Sequence, residues 1–304
     1  MAYNQFAAGC AFIEGEYIPI ADARIPIIDT GFTRSDLTYD VVAVWNGKFF
    51  RLDDHLNRFQ KGWTRLRLKP GIALEDMRAI LIECVRRSRL RNAYVEMILS
   101  RGVDEDGCRD PRRFNNRFYA YAIPYVWIAG PEIQAAGIHL VIAEKTIRIP
   151  PDAVDPTVKN FHWGDLVRGI YEAYDRGGFT VVLPDAEGNI TEGPGFNVFV
   201  YYESRLLTPE SGVLEGITRQ TVLDLAAEQG IPARQVMFGA NVLENAEEVF
   251  ITSTAGGVMP VTTLNGKSIG DGQPGKITTL IQKRYWKAHD EDRWTTPVDY
   301  PDRV

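Results

Sequence analysis

The first half of the chain alternates short apolar runs with turn residues, a pattern typical of strands joined by hairpins. Two apolar runs over 10–20 are split by a Glu-Gly-Glu turn, which predicts one hairpin. A second is predicted at Asn46-Gly47, because both positions of an Asn-Gly pair tolerate positive φ. Further strands are predicted at 93–100 and 117–128.

Two helices are predicted between these strands. Apolar residues recur at intervals of three and four over 56–66, and a similar pattern covers about 74–88. Asp53 and Asp54 offer an N-cap for the first helix. Arg58 lies off its apolar stripe, so the ordinary expectation for this residue is a solvated helix face.

The second half repeats the mixture of strands and helices. Strands are predicted at 138–143, 179–184 and 195–202, and helices at 217–230 and about 276–287. Since the elements do not alternate strictly as βαβ units, an α+β organisation is favoured over a Rossmann fold.

A break in the pattern at Gly130-Pro131 predicts a domain boundary. We therefore expect a smaller N-terminal α/β domain over 1–127, an interdomain linker over 128–137 and a larger C-terminal domain over 138–304.

Composition narrows the classes of function. The 304 residues include 34 basic and 40 acidic side chains, a formal net charge of -6 without long runs of like charge, so nucleic acid and anionic membranes are not expected partners. No apolar run approaches the length of a membrane span, and the N-terminus lacks the pattern of a signal peptide, so a cytoplasmic protein is predicted. Three separated cysteines and four scattered histidines predict reduced thiols and no metal site.

One lysine has unusual neighbours. Lys159 lies in the segment AVDPTVKNFHWGDL, among aromatic, amide and small residues, after a predicted loop and just before a helix. An ammonium group that is partly removed from water loses solvation, and a neutral, nucleophilic amine then becomes available near pH 7. Such an amine can form a Schiff base. The ordinary alternative is a solvated surface lysine.

Two small-residue segments could hold a phosphate. Gly216-Ile217-Thr218 lies at a predicted helix start, where free N–H groups and the helix dipole favour an anion. The segment from Ser253 to Gly257 allows close backbone approach and offers two hydroxyls. Each signal has a structural alternative, a helix cap or a simple turn.

Glu192 lies in a glycine-flanked turn, TEGPGFN, and could be simply a solvated turn residue. In the functional interpretation, its ionised carboxylate would keep a heteroaromatic nitrogen protonated. A Schiff-base lysine, a phosphate cradle and a carboxylate for a ring nitrogen are together what a pyridoxal phosphate site requires.

A P-loop-like segment has a different explanation. Residues 270–276 match GxxxxGK, but Ile277 stands where the motif needs Ser or Thr, and the preceding TLNGKSI predicts a hairpin. Nucleotide hydrolysis is therefore not favoured.

Across its full length the chain resembles the fold type IV pyridoxal phosphate enzymes, a two-domain D-amino-acid aminotransferase-like fold, and it is most similar to the (R)-selective amine transaminases. The resemblance lies in segments that occur in the family's order: DARIPIIDTGFTRSDLTYDVVAVWNGKFFRLDDHLNRF, YVEMILSRG, DPTVKNFHWGDL, TEGPGFN, GITRQTV and TSTAGGVMP.

The resemblance implies roles for individual residues. Lys159 would be the catalytic residue that holds the cofactor aldehyde, and Glu192 would bind the pyridine nitrogen. Leu214 would pack on the ring, while the phosphate would be bound by Arg58, Ile217, Thr218 and Thr254. The substrate pocket would include Arg34, Tyr39, Val41, Tyr94, Glu96, Arg109, Phe161, Trp163 and Ala255.

The sequence also departs from its relatives. Branched-chain relatives place a tyrosine five residues after the lysine to contact the ring oxygen, and Gly164 stands there instead. Arg34 replaces a histidine of the fungal amine transaminases. The arginine that binds the substrate carboxylate would come from the 102–116 loop, where Arg109, Arg112 and Arg113 compete and Arg109 is favoured.

The implied reaction moves an amino group between a primary amine and a keto acid such as pyruvate through a Schiff base of Lys159, in a homodimer. The alternatives are a D-amino-acid or branched-chain amino-acid aminotransferase, an aminodeoxychorismate lyase-like enzyme, and a non-catalytic binding protein that kept the fold.

Overall fold

The computed structural model describes residues 8–104 and 107–300, which form two compact units. The first unit comprises the described residues up to 126, the short segment Val158–Phe161 and the residues from 289 onward. The second unit comprises Trp127–Thr157 and His162–Ala288. Residues 105 and 106 of the predicted 102–116 loop lie outside the described residues.

The elements follow one another in the order β1 (Cys10–Ile13), β2 (Glu16–Pro19), α1 (Thr30–Arg34), β3 (Leu37–Trp45), β4 (Lys48–Phe50), α2 (Leu52–Arg65), α3 (Leu74–Ser88), β5 (Ala93–Val103), β6 (Asn115–Pro124), α4 (Pro131–Ala136), β7 (Ile138–Ile142), α5 (Gly164–Asp175), β8 (Thr180–Val182), β9 (Glu192–Gly193), β10 (Phe196–Tyr202), β11 (Arg205–Thr208), α6 (Ile217–Glu228), β12 (Ala233–Gln235), α7 (Ala240–Glu244), β13 (Glu248–Ser253), β14 (Gly257–Leu264), β15 (Lys267–Ser268), α8 (Lys276–Ala288) and β16 (Thr295–Pro297). Short 3-10 helices cover Ile20–Asp22, Pro111–Arg113 and Asp292–Trp294.

The described strands of the first unit form a seven-stranded antiparallel sheet in the order β16-β4-β3-β5-β6-β1-β2. Side chains alternate between its two faces, so Val42, Val95 and Met97 point into the apolar core with α2 and α3, where Phe59 and Leu81 are fully buried. The opposite face carries Tyr39 and its neighbours, described below.

The predicted hairpins of the first unit are confirmed. β1 and β2 pair across a turn at Glu14-Gly15, and Asn46 and Gly47 have φ of 51° and 81° between β3 and β4.

The N-cap predicted for α2 is wrong. The helix begins at Leu52 after Arg51, whose φ is 54°, and no side chain caps it. The two aspartates that were expected to cap it lie in its first turn, where their charge favours the helix dipole instead.

The described strands of the second unit form a mixed sheet in the order β12-β11-β10-β13-β14-β7-β8, with β15 beside β14 and β9 beside β10. The pairs β11–β12, β14–β7 and β7–β8 are parallel and the others antiparallel. Two sheets of this composition confirm the α+β organisation. α6 and α8 pack on β13, and α5 packs on β8.

The two units differ from the predicted division at three places. The change of unit falls between Val126 and Trp127, and the expected linker contains α4, whose Gln134 is buried and donates to the carbonyl of Ala129 in the second unit. Residues from 289 onward belong to the first unit because β16 pairs with β4 there. Val158–Phe161 also belongs to the first unit, a partition that local sequence pattern does not show.

Asp40 is the buried charge on which the first unit depends most. Its carboxylate is fully buried and accepts two hydrogen bonds from Arg58 at 2.8 Å, and His55 Nδ1 lies 2.8 Å from its Oδ1. Burial raises the pKa of Asp40, but Arg58 and His55 together lower it more, so the pKa falls well below its ordinary value. Arg58 is therefore not the solvated helix-face residue that its position off the apolar stripe suggested, since only 10% of its side chain is exposed.

We expect Asp40→Asn to lower the free energy of unfolding at pH 7 by about 3–5 kcal/mol, because it breaks a buried ion pair. A depressed carboxyl pKa contributes stability above the unfolded value, near 3.8, and that contribution is lost as the pH falls from there toward the depressed pKa. The difference between variant and parent should therefore shrink in acid. Urea unfolding at several pH values measures it, with the exposed Glu187→Gln as control. An equal, small effect of both substitutions would contradict this account.

Candidate active site

Lys159 lies against the open edge of β3. Beyond Val44 and Trp45, β4 does not pair with β3, so the first half of that strand has a free edge. The Lys159 carbonyl accepts hydrogen bonds from the Tyr39 N–H at 3.1 Å and the Thr38 hydroxyl at 2.9 Å. The Lys159 backbone is therefore fixed to a strand of the first unit, as a reactive lysine requires.

The Lys159 side chain is half-buried and turns over an aromatic ring. Its Nζ lies 4.4 Å from the centroid of the Tyr39 ring, and the Phe161 ring centroid lies 4.5 Å from that of Tyr39. A cation over a ring face is stabilised electrostatically. Phe161 remains 37% exposed, so the aromatic pair has an open side where a ligand can pack.

Four predicted pocket residues share one face of the first sheet with Lys159 Nζ nearby. The register pairs Val41 with Glu96 and then Glu96 with Tyr121, so these three side chains lie side by side across β3, β5 and β6. Tyr39 lies two residues before Val41, and Tyr94 lies two residues before Glu96, on the same face. The structure thus brings together the pocket residues predicted on these strands.

Glu96 is a carboxylate that, within residues 8–104 and 107–300, is bound by tyrosine hydroxyls rather than by an arginine. It is 6% exposed, and its Oε2 accepts a 2.8 Å hydrogen bond from the Tyr121 hydroxyl. Burial raises its pKa, and hydrogen bonds from Tyr121 and Tyr94 and the charge of Lys159 offset only part of that rise. Glu96 also raises the pKa of the Tyr94 hydroxyl, after burial, because a phenolate there would face a carboxylate.

A pocket of about 410 Å³ opens on this same face within the first unit. Its apolar lining includes Phe161, Leu37 and Ile98, and its polar lining includes Asp29 and Tyr119. Asp29 Oδ2 already accepts hydrogen bonds from the Tyr119 hydroxyl at 2.7 Å and from the Ser100 hydroxyl at 3.0 Å, so this polar part is internally paired. The pocket therefore presents a mainly apolar surface to a ligand.

The arginines predicted for substrate binding lie at the surface. Arg34, in the last turn of α1, and Arg109 are exposed. Arg112 forms a bidentate ion pair with Asp110. Because Arg112 is already paired with a carboxylate, Arg109 is the better placed of these two to bind another.

Glu192 is buried in the second unit rather than solvated in a turn. It is 7% exposed, lies in β9 and is held at both carboxylate oxygens. Oε1 accepts from Arg148 Nη2 at 3.1 Å and Nε at 3.3 Å, and Oε2 accepts from the Leu214 N–H at 2.9 Å. The solvated alternative for this residue is therefore excluded.

Leu214 connects Glu192 to the start of α6. Its N–H donates to Glu192, and its carbonyl accepts from Asn197 Nδ2 at 2.9 Å. Gly216 follows as the N-cap of α6 and provides no side-chain cap. A Cβ at Gly216 would lie 2.1 Å from Asn197 Oδ1, so only glycine fits this approach. The predicted ring-packing residue, ring-nitrogen partner and phosphate cradle thus form one connected group.

The other small-residue segment joins β13 to β14. Thr254 is half-buried, and Ala255 is buried with its carbonyl bonded to the N–H of Ile128 at 2.8 Å. Two residues before Thr254, the buried Thr252 Oγ1 has no hydrogen-bond partner among the described residues. Trp163, at the N-cap position of α5, is half-buried and lies beside Gly195.

These observations fit pyridoxal phosphate. Gly216 leaves the first N–H groups of α6, at Ile217 and Thr218, without a side-chain cap, as a phosphate requires. Thr252 offers a buried hydroxyl that has no partner among the described residues, and Glu192 is a fixed acceptor suited to a protonated ring nitrogen.

The P-loop-like segment is excluded as a phosphate site by its contacts. β14 and β15 form the predicted hairpin, with Asn265 and Gly266 at positive φ. At the start of α8, the Ile277 and Thr278 N–H groups donate to the Glu248 carboxylate at 3.0 and 2.7 Å. An anion would have to displace this carboxylate.

Sequence reasoning missed Arg148, Asp165, Asn197 and the Asp40 partner of Arg58. A signal was available for Asp40, because an aspartate inside the apolar strand TYDVVAV must find a cation when it is buried. Arg148, in KTIRIPP, carries no such local signal.

Two expected absences were searched for directly. Over residues 8–104 and 107–300, no group of three or more His, Cys, Asp or Glu side chains is arranged to hold a metal ion. In the same part of the chain, none of the helices has both the length and the apolarity needed to cross a membrane.

Known proteins are similar to this chain in fold and sequence. Residues 37–264 match the family described as amino-transferase class IV. A Methanocaldococcus jannaschii protein, named provisionally as a branched-chain-amino-acid aminotransferase, is 29% identical over 277 residues, 90% of this chain and 94% of its own. A D-alanine aminotransferase of Bacillus licheniformis is 28% identical, over 88% of this chain and 93% of its own. A branched-chain amino acid aminotransferase of T.th., solved with pyridoxamine 5'-phosphate, has a TM-score of 0.90 at 25% identity, covering 97% of this chain and 100% of that one.

The fold and the site residues define a pyridoxal phosphate-dependent aminotransferase. The chain belongs to the class IV aminotransferase family, since the family model covers most of its length. The two-domain fold type IV predicted from the resemblance is confirmed.

We expect Glu96 to make the protein less stable as the pH rises. A carboxyl whose pKa is raised by folding contributes stability below its unfolded value, near 4.5, and that contribution is lost as the pH rises through the raised pKa. Glu96→Gln should remove this decline. Urea unfolding of both proteins across this range measures it, and Tyr121→Phe, which deletes a hydrogen bond to the charged form, should extend the decline to higher pH. A parent whose pH profile matches that of Glu96→Gln would contradict the assignment.

Proposed function

We propose that the protein is an (R)-selective amine transaminase, which moves an amino group between a primary amine and a keto acid such as pyruvate. The observation that carries this proposal is the buried Glu96, beside Val41 and within Coulombic range of Lys159. The enzyme class itself is established by the family, and the proposal concerns the substrate.

Glu96 favours amines that lack a carboxylate. A substrate carboxylate placed near Glu96 would bring a second negative charge into a buried region, which is costly without a cation between them. A substrate with an apolar group at that position avoids this cost, and specificity built on such a repulsive element is common. The apolar pocket lined by Phe161, Leu37 and Ile98 offers room for the larger substituent of such an amine.

The chemistry is divided between the cofactor and the protein. When bound, pyridoxal phosphate supplies an aldehyde that condenses with amines and a conjugated ring that accepts electron density. Lys159 would hold that aldehyde through its Nζ and, once the substrate amine displaces it, carry the proton from the substrate carbon. Tyr39 keeps Nζ over its ring, which limits the positions from which the proton is taken.

The groups described above supply a partner for each part of the cofactor. Glu192 would accept the ring N–H, Leu214 would pack on the ring, and the N–H groups of Ile217 and Thr218 would bind the phosphate together with Thr254.

Arg58 would add a cation for the phosphate. Asp40 holds one edge of its guanidinium by two hydrogen bonds, which fixes the direction of that cation.

The keto acid must be bound by a different charge. Arg109, exposed on the loop between β5 and β6, would pair with the carboxylate of pyruvate and withdraw for an apolar amine. One pocket would then accept both substrates in turn.

A homodimer is part of this proposal. The loop before α1 and the helix itself expose Ile27, Ile28 and Phe32 by 75%, 63% and 65%, a concentration of apolar surface suited to contact with a second chain.

An amino-acid aminotransferase is the second candidate. Relatives named as branched-chain and D-alanine aminotransferases cover most of this chain, and their names favour amino-acid substrates. The Glu96 carboxylate weighs against this candidate, because an α-amino acid brings its own carboxylate to the site.

We expect (R)-1-phenylethylamine, added without an acceptor to the enzyme loaded with pyridoxal phosphate, to abolish the visible absorption band of the bound cofactor, while the (S) enantiomer leaves it unchanged. Stopped-flow absorption measures both. The Lys159→Met variant is the control, and it should be slower by at least about a hundredfold, the scale of a lost general base. A band that responds to D-alanine or L-leucine and ignores both amines would move the assignment to an amino-acid aminotransferase.

A further inference from the structure

Arg148 lies between two buried carboxylates in the second unit. Its Nη1 donates to Asp165 Oδ2 at 2.6 Å, and its Nη2 and Nε donate to Glu192 Oε1 at 3.1 and 3.3 Å. The side chains of Arg148, Asp165 and Glu192 are only 8–9% exposed. The three residues therefore form a buried charge cluster, which we name the Arg148 cluster.

The Arg148 cluster is built rigidly into the backbone. Arg148 donates its own N–H to the Pro184 carbonyl at 2.8 Å. Asp165 Oδ2 also accepts from the Ile149 N–H at 2.8 Å, and Glu192 Oε2 from the Leu214 N–H at 2.9 Å. Each charged residue is thus fixed by a hydrogen bond outside the cluster or at its own backbone, so the distances within it are well defined.

The Arg148 cluster holds one more negative than positive charge. It contains one guanidinium and two carboxylates, and the next charges to interact with Glu192 and its surroundings, Arg219 and Glu215, add one of each sign. An excess of negative charge in a buried place is costly unless a cation joins it. Burial lowers the pKa of Arg148, while Glu192 and Asp165 raise it by more, so the guanidinium stays charged.

The hydrogen-bond lengths show how the single cation is shared. The contact of Arg148 with Asp165 is shorter than either contact with Glu192. Since shorter charge-assisted hydrogen bonds are stronger, Asp165 competes for the guanidinium and leaves Glu192 less neutralised. Without the Asp165 charge, Arg148 and Glu192 would form a simple neutral pair with a weaker attraction for another cation.

We propose that Asp165, acting through Arg148, is a positioning residue that sets the negative charge Glu192 presents to the cofactor, and thereby keeps the ring nitrogen of pyridoxal phosphate protonated. This inference rests on the role given to Glu192 in the proposed function. It adds two residues, Arg148 and Asp165, which would contact neither the cofactor nor the substrate and would act only on the carboxylate that does.

The test uses the full-length enzyme loaded with pyridoxal phosphate labelled with ¹⁵N in the ring. Asp165→Asn keeps the size and an acceptor oxygen but removes the charge. We expect the ¹⁵N shift of the bound ring to move toward that of unprotonated pyridine, and cofactor affinity to fall about tenfold, the lower end for residues that orient a ligand from behind. Asp165→Glu should restore the parent shift, because it restores the charge.

The matched control is Asp152→Asn, which removes the same charge from an exposed position in the loop that follows Arg148 and should leave the shift unchanged. If Asp165→Asn does not fold, Asp165→Ser removes the charge with a smaller acceptor and carries the same expectation. A ¹⁵N shift equal to the parent's in a folded, charge-removed variant would overturn the proposal, whatever happens to affinity or activity.

Glu192→Gln separates this proposal from the larger one. If this substitution leaves the ¹⁵N shift unchanged, the role of Glu192 fails and the inference about Asp165 fails with it. The choice between amines and amino acids would still be decided by the response to (R)-1-phenylethylamine. If Glu192→Gln changes the shift and Asp165→Asn does not, only the inference about Asp165 is overturned.

Discussion

The carbonyl of Lys159 is bound to the edge of β3, and the candidate active site of the first unit depends on this contact. The Tyr39 N–H and the Thr38 hydroxyl both donate to it. Because β3 alternates its side chains, the same strand that fixes the lysine backbone turns Tyr39 toward its amine and Asp40 toward the helices. A lysine in a flexible loop would have no such fixed relation to the sheet.

Three buried carboxylates show how the surroundings divide one chemical group into different functions. Asp40 pairs with Arg58 and His55, and its pKa falls. Glu96 is bound by tyrosine hydroxyls, and burial raises its pKa. Glu192 shares Arg148 with Asp165. The first carboxylate stabilises the fold, the second would exclude a like charge, and the third would hold a cation. Each outcome follows from the number and charge of the partners.

Much of the fold could be predicted from the sequence, because its signals are local. The Asn46-Gly47 turn, the helical spacing over α2 and α3 and the strand patterns all arise from residues close in the chain. The cap of α2 could not be predicted in this way, since Arg51 adopts a left-handed conformation that its residue type does not favour. The assignment of Val158–Phe161 to the first unit depends on hydrogen bonds to residues about 120 positions away, which no local pattern records.

The candidate site was predictable only where chemistry leaves a mark in the residue types. Lys159 and Glu192 were found because their neighbours are unusual for charged residues, and the family resemblance supplied most of the others. Arg148 and Asp165 were not found. Their importance comes from distances of 2.6 to 3.3 Å between residues far apart in sequence, and an arginine before a proline-rich loop looks ordinary until these contacts are known.

The most direct test of the central claim is to locate the bond between protein and cofactor. Purified protein is incubated with pyridoxal phosphate, reduced with borohydride, digested and analysed by peptide mass spectrometry. The structure predicts that the reduced adduct lies on Lys159, with the exposed Lys145 as an internal reference that stays unmodified. An adduct spread over several lysines, or one confined to a lysine other than Lys159, would contradict the account.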